Sequence, residues 1–155
     1  MSAEDVLLFR SRGLKAAQID TLRRLSENMP HQVPARIILI GYYFAKSREQ
    51  RAGGIAADEW LECVLWLARH SPWVDTLRGP FGKIAALEYP IEFATLKSIW
   101  KSHINTTPSE ARILTNAAAF FSIDDPRLSR ELLRRATALD PNDDMIMMVL
   151  AQLRA

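Results

Sequence analysis

The chain has 155 residues, of which 48% are hydrophobic and 25% are charged, and its formal net charge is +2. This length fits one domain with a substantial core, and the composition excludes a disordered chain. The charge is too small to indicate nucleic-acid binding by itself, and the lone cysteine, Cys63, excludes a disulfide within the chain.

The start of the chain lacks the pattern of a secretion signal. Glu4 and Asp5 lie where a signal peptide carries basic residues, and the apolar run from Val6 to Phe9 is short. No stretch approaches the roughly 20 apolar residues of a membrane-spanning helix. We therefore expect a cytoplasmic protein that does not bind a membrane, because a single cysteine also fits a reducing compartment.

Apolar residues recur at helical spacing along almost the whole chain, which predicts an all-α fold of about seven or eight helices. Ser2 is suited to cap the first, short helix, which Gly13 would end. The other helices are expected at about 15–28, 34–48, 58–70, 91–104, 108–122, 126–139 and 143–155. Gly53-Gly54 would break the chain before the fourth helix. Residues 71–90 form an irregular but apolar segment that we expect to pack onto the body.

Helix-start signals are clearest in the last third of the chain. Thr107, Pro108 and Glu110 form a pattern of cap, first-turn proline and reciprocal capping glutamate, which predicts that the sixth helix begins at Pro108. Asp125 followed by Pro126 repeats the cap and proline for the seventh helix. Such signals are typical of antiparallel helix hairpins.

The hairpin over residues 110–143 resembles a tetratricopeptide repeat, a helical hairpin of about 34 residues. In this pattern small residues stand where the two helices cross, and large residues stand beside them. The matching residues are Ile113, Ala117, Phe120, Ser129, Leu133, Ala136 and Pro141. Asn116 departs from the leucine that the repeat usually carries at its position, and Ser129 is the second choice after alanine.

The third and fourth helices resemble a second, looser repeat. Its first half is matched by Ile37, Ile40, Gly41 and Phe44, and its second half by Trp60, Val64, Leu67 and Pro72. The resemblance implies one domain over residues 1–155, built as a short right-handed α-solenoid of antiparallel helix hairpins. Its parts would be the N-terminal helices (1–30), a first hairpin (33–72), a distorted second unit (73–108), the clearest repeat (109–142) and a terminal helix (143–155). An unrelated helical bundle is the alternative.

Tetratricopeptide proteins are protein-binding scaffolds, so the resemblance implies a module that binds a partner protein or peptide through a concave groove or an end face. The positions that would line this groove are Ile38, Tyr42, Lys46, Leu114, Thr115, Ala118, Phe121 and Ser122. The Lys, Asn and Arg set with which some family members grip a C-terminal carboxylate is missing apart from Lys46. The groove is either open to an apolar or amphipathic partner helix or filled by residues 1–30 or 71–90.

The last helix suggests an alternative role, that of a structural subunit that forms homo-oligomers. Met145, Met147 and Met148 are adaptable side chains of the kind found at interfaces. A final helix without its hairpin partner leaves an apolar face, so it either caps the domain or pairs with another chain in a homodimer. Asn142 or Asp143 is expected to cap this helix.

Three arginines, Arg127, Arg130 and Arg134, share one face of the seventh helix. We interpret this basic face as solvated, with an acidic partner or a weak RNA contact as the alternative. Glu131 dilutes its positive charge, so nucleic acid is not an expected partner.

The remaining polar residues do not indicate catalysis, a metal or a cofactor. His31, His70 and His103 are too dispersed for a metal-ligand spacing, and Cys63 is expected to be an inert buried thiol. The stretch GPFGK, residues 79–83, has too few residues between its glycines for a phosphate-binding loop, so a packed turn is expected. The acid pairs at 124–125 and 143–144 are explained by capping. We expect a protein without enzymatic activity.

Overall fold

A computed structural model of the chain describes residues 1–29, 31–49, 54–107 and 109–154. It contains eight α-helices within these ranges: α1 (Ala3–Arg10), α2 (Ala16–Asn28), α3 (Val33–Glu49), α4 (Ile55–His70), α5 (Pro90–Thr106), α6 (Ala111–Asp124), α7 (Pro126–Leu139) and α8 (Asp144–Arg154). No strand occurs in the described ranges. The prediction of an all-helical fold is confirmed.

Three of the predicted helix caps are present. Ser2 Oγ accepts from the Asp5 amide at 3.1 Å, and Asp5 Oδ2 accepts in return from the Ser2 amide at 2.8 Å. Asp125 Oδ1 accepts from the Leu128 amide at the start of α7. Asp143 Oδ1 accepts from the Met145 amide and caps α8. These carboxylates and hydroxyls satisfy amides that the first turn of a helix leaves without partners.

The predicted start of α6 is wrong. The helix begins at Ala111, and Glu110, at its N-cap, makes no capping hydrogen bond through its side chain. Thr107 belongs to the end of α5, where its hydroxyl donates to the His103 carbonyl at 2.7 Å. Thr107 therefore completes one helix and does not cap the next. Pro108, like Gly53 of the predicted Gly53-Gly54 break, lies outside the described residues.

Two helices, α3 and α6, organise the packing. Helix α3 contacts α1, α2 and α4, whereas α6 contacts α5, α7 and α8, and α4 packs against α5. Every residue from Ile113 to Ala119 is buried, as is Phe121. A helix buried on all sides lies in the core of a helical domain, so α6 is the central helix of the C-terminal half.

The α6–α7 hairpin has small residues at its crossing. Ala117 and Ala136 are fully buried, and so is Ser129, whose hydroxyl donates to the Ala118 carbonyl across the helix pair at 2.6 Å. Small side chains let the two backbones approach closely, and the serine hydroxyl satisfies its hydrogen bond within the contact.

A second close approach involves Gly41 on α3. A Cβ atom at this position would lie 2.5 Å from Ser11 Oγ and 3.2 Å from the Leu8 carbonyl oxygen. The resemblance places Gly41 at the crossing of the third and fourth helices, whereas the atoms nearest to its missing Cβ belong to the N-terminal region. Gly41 thus makes room for the end of α1.

The irregular segment after α4 is held against α6 by Asn116. Asn116 Nδ2 donates to the carbonyls of Pro72 and Val74, both at 2.9 Å, and its Oδ1 accepts from Arg78 Nη1 at 2.8 Å. Arg78 Nη2 also lies 3.1 Å from Asp75 Oδ1. Asn116 is only 1% exposed, so these are core hydrogen bonds.

Glu4 of α1 holds the same segment from the other side. Its Oε2 accepts from the Asp75 amide at 2.9 Å, and its Oε1 accepts from the Thr76 amide and hydroxyl at 2.7 and 2.6 Å. The segment forms two short 3₁₀ turns, Asp75–Leu77 and Pro80–Gly82. Because Val74, Leu77 and Ile84 are buried, the expectation that this apolar segment packs onto the body is confirmed.

Replacing Ala117 with leucine tests the helix crossing. We expect Ala117→Leu to lower the free energy of unfolding by about 1–3 kcal/mol, because added methylene groups overpack a filled core. Ala138→Leu, at an exposed position of α7, is the control and should change it by less than about 0.5 kcal/mol. The measurement is a urea melt, and equal stability of the two variants would show that the helices do not cross at Ala117.

A second variant tests the role of Asn116. Asn116→Leu introduces the residue that tetratricopeptide repeats usually carry at the matching position, yet we expect it to lower the free energy of unfolding by about 2–4 kcal/mol. The reason is that two buried carbonyls and the Arg78 guanidinium lose their partner. Asn105→Leu, at an exposed position of α5, is the matched control in the same urea melt. An unchanged or increased stability of Asn116→Leu would contradict this account.

Candidate functional site

An apolar pocket of about 470 Å³ lies between residues 77–87, α5 and α6. Helix α5 contributes Phe93, Leu96 and Trp100, which share one helical face at spacings of three and four residues. Helix α6 contributes Phe120, whose ring centroid lies 5.1 Å from that of Phe93, and the small Ala119. Ala119 is the smallest side chain that either helix contributes to the lining.

The third wall of the pocket belongs to the irregular segment, through Leu77, Gly82 and Ile84. A Cβ atom on Gly82 would lie 2.6 Å from the Thr76 carbonyl oxygen and 2.7 Å from Leu77 Cα. Only a glycine therefore lets the two 3₁₀ turns fold onto each other. The hydrogen bonds of Asn116 and Glu4 hold these turns in place, so this wall is fixed although it is not helical.

Large apolar side chains extend from the pocket into solvent. Among its lining residues, Leu87 is fully exposed and Ile123 is 86% exposed, and Ile91 at the start of α5 is exposed as well. Single exposed apolar residues are common, but two of them lining an apolar cavity are a feature of binding surfaces. We call Leu87 and Ile123 the rim of the pocket.

Few charged groups line the pocket, and most of them are paired. Asp124 Oδ2 lies 2.8 Å from Lys97 Nζ, and Arg78 pairs with Asp75. Lys83, also part of the lining, is exposed and has no ion pair with any residue that the structure describes. Apolar walls with a few polar groups are the usual chemistry of a site that holds a ligand by burial and orients it by charge.

The expected groove residues on α6 do not form an open surface, and this corrects the expectation. Leu114, Thr115, Ala118 and Phe121 are at most 1% exposed, because α6 is surrounded by α5, α7, α8 and the segment that Asn116 binds. Ser122 is half-buried and lines the apolar pocket. Other elements of the chain therefore cover the face of α6 that was expected to line an open groove.

The expected groove residues on α3 remain partly exposed. Ile38, Tyr42 and Lys46 are half-buried, and Lys46 Nζ lies 5.8 Å from the centre of the Tyr42 ring and 3.4 Å from Glu49 Oε2. None of the three lines the pocket that contains Ser122. The α3 and α6 positions expected to share one groove thus do not share this pocket.

Sequence reasoning missed the residues that form the pocket, above all Leu87, Ile123 and Lys83. Their apolar or basic character is visible in the sequence, but an apolar residue in a loop or at a helix end ordinarily predicts burial. The exposure of Leu87 and Ile123 follows from how three elements meet, which the periodicity of each element alone does not specify.

The basic face of α7 is exposed. Arg127, Arg130 and Arg134 are exposed and border a shallow depression with Asp125 and Glu131. Arg134 Nη2 lies 2.6 Å from Glu131 Oε2, so part of the positive charge is neutralised within the helix itself.

Other candidate residues have structural roles. His103 Nε2 lies 2.6 Å from the Ala68 carbonyl oxygen and links α5 to α4. Residues 79–83 contain the 3₁₀ turn Pro80–Gly82, as expected for a packed turn. Within the described ranges, no three His, Cys, Asp or Glu side chains gather as a metal site would require. None of the described helices is both long and apolar enough to span a membrane.

Cys63 is buried, and burial raises the pKa of its thiol to about 12. Only the thiolate is nucleophilic. Compared with a thiol of pKa 9.0, the folded chain should hold about a thousandfold less thiolate at pH 8. We therefore expect a disulfide reagent such as DTNB to label the native chain at least about a hundredfold more slowly than the chain unfolded in urea. Similar labelling rates would show that the thiol is accessible.

Comparisons with known proteins place no further constraint on this description. No protein-family model, curated protein or solved structure matched the chain. The resemblance to tetratricopeptide repeats thus rests on the residues of the α6–α7 hairpin and its neighbours, and the function has to be argued from the pocket and its rim.

Proposed function

We propose that this protein is a binding module that receives an apolar segment of another protein in the pocket between residues 77–87, α5 and α6, and that it carries out no reaction. The observation that carries the proposal is the exposure of Leu87 and Ile123 beside an apolar cavity. Together the cavity and its rim form a continuous apolar surface larger than the cavity alone.

The rim favours a protein segment over a small molecule. Moving a leucine or isoleucine side chain out of water contributes about 1.5–3 kcal/mol when burial is complete. A segment laid across the mouth of the pocket would bury both rim residues and also fill the cavity. A small molecule in the cavity could contact Leu87 and Ile123 but would cover less of these highly exposed side chains than a protein segment laid across them.

A short tetratricopeptide-like solenoid is part of the proposal. The α6–α7 hairpin supports it, because Ala117, Ser129 and Ala136 are fully buried and the serine hydroxyl bonds across the helix pair. The α3–α4 pair is a weaker match, since Gly41 makes room for the end of α1. In this arrangement the docking site lies beside the clearest repeat and not in a groove lined by α6.

A second candidate role is assembly with further copies of the chain through α8. Ile146 and Val149 are buried on one side of this helix, which packs against α6 and α7. Met147 and Met148 remain 62% and 58% exposed, and flexible methionines adapt well to apolar partners.

Site-specific photocrosslinking separates these roles. A photoreactive phenylalanine analogue would be placed at Leu87, Ile123, Met148 or Leu139, one at a time, in the cells from which the chain comes. Leu139 is the matched control, because it is a 47% exposed leucine on α7 away from the pocket. We expect the same partner protein to be crosslinked from Leu87 and Ile123 and not from Leu139.

Two results would contradict the docking role. One is the absence of adducts at both rim positions, and the other is an identical set of adducts at the rim and at Leu139. Covalent dimers of the chain formed from Met148 alone would favour the assembly role. Adducts at the rim that disappear in an Ala86→Trp background would strengthen the docking role, because Ala86 is an exposed lining residue at which a large ring would obstruct the pocket.

A further inference from the structure

The pocket also indicates what kind of segment it would receive. We propose that the segment is an amphipathic α-helix whose apolar side chains enter the pocket and whose acidic residue pairs with Lys83. This inference rests on the proposed docking function. It specifies the shape and the charge of the partner, which the docking function leaves open.

The hydrogen-bonding needs of the partner's backbone favour a helical segment over an extended one. An extended peptide satisfies its amides and carbonyls by adding to a sheet edge, and the described ranges of this chain contain no strand that could offer one. Backbone groups laid on an apolar surface without partners are costly. A helix satisfies them within itself and can therefore lie across Leu87, Ile123 and the pocket at little polar cost.

The volume of the pocket fits more than one side chain of such a helix. A cavity of about 150 Å³ is enough to hold a benzene molecule, and this pocket measures about 470 Å³. An amphipathic helix presents apolar residues three and four positions apart on one face. Neighbouring residues of that face can enter the pocket together while others cover the rim.

The positive charge of Lys83 at the mouth of the pocket favours a partner helix that carries an acidic residue. Lys97 neutralises Asp124, and Asp75 neutralises Arg78, which leaves Lys83 as the lining cation without an ion pair in the part of the chain that the structure describes. Burial, together with the negative charges of Glu88, Asp58 and Glu92, raises the pKa of Tyr89. None of these three carboxylates lines the pocket.

The test is a selection from a displayed library of random helical peptides against the full chain, followed by affinity measurements with synthetic copies of the enriched peptides. We expect the enriched sequences to combine an apolar face with an acidic residue. Lys83→Glu should weaken their binding about three- to tenfold at low salt and less at high salt, as for an exposed ion pair. Lys101→Glu is the control, since Lys101 is exposed on α5 and does not line the pocket.

Exchanging the acidic residue of a selected peptide for lysine should restore its binding to the Lys83→Glu variant. The inference about Lys83 is overturned if Lys83→Glu and Lys101→Glu bind equally well, or if the enriched peptides lack an acidic residue. In both cases the docking function survives, provided that Ala86→Trp still abolishes binding. If Ala86→Trp has no effect on any selected peptide, the docking function fails as well.

Two further outcomes would show that the pocket binds something other than a partner helix. Concentration-dependent association of the purified chain that Ala86→Trp removes would mean that a second copy fills the pocket. A small apolar molecule that stays bound in native mass spectrometry of the wild type, and is lost in Ala86→Trp, would mean that the ligand is not a protein. Either result overturns the proposal of a partner helix.

Discussion

The side-chain amide of Asn116 is the interaction on which the rest of the pocket depends. It lies in the centre of the C-terminal half, almost wholly excluded from water, and joins α6 to the carbonyls of Pro72 and Val74 and to Arg78. A buried amide with all of these partners stabilises one arrangement and penalises others, because each lost hydrogen bond leaves a group unsatisfied. The segment that follows α4 therefore has a defined position although it forms no long helix.

Fixing this segment has a consequence for binding. Glu4 caps the Asp75–Leu77 turn from the opposite side, and the absence of a side chain at Gly82 lets the second turn pack onto the first. The wall of the pocket is thus formed without a ligand, so the segment that we propose to bind there would cost less conformational entropy on binding. The chain then leaves this anchored wall and presents Leu87 to solvent just before α5 begins.

Helical periodicity, together with capping residues, prolines and glycines, was sufficient to predict an all-helical fold, because most of the helices bury apolar residues at a spacing that a single sequence displays. The resemblance to a tetratricopeptide repeat placed Ala117 and Ala136 at the crossing of a helix hairpin, and both are buried. The capping pattern failed at Thr107, since a threonine hydroxyl can serve at the end of one helix or at the start of the next. The pocket was not predictable from such patterns, because its walls come from three consecutive elements, and the periodicity of each element does not specify how they pack against one another.

Asn116 stands where tetratricopeptide repeats usually carry leucine, and the irregular segment after α4 accounts for this difference. A leucine at position 116 would pack well against a regular helix, because the backbone carbonyls of such a helix already accept hydrogen bonds within it. Residues 72–74 are not helical, so their carbonyls need donors, and Asn116 supplies two. A regular helix in place of residues 73–90 would neither need this asparagine nor place Leu77, Gly82 and Ile84 as a wall opposite α5. The irregular segment that departs from helical regularity therefore also forms one wall of the pocket beside the α6–α7 hairpin.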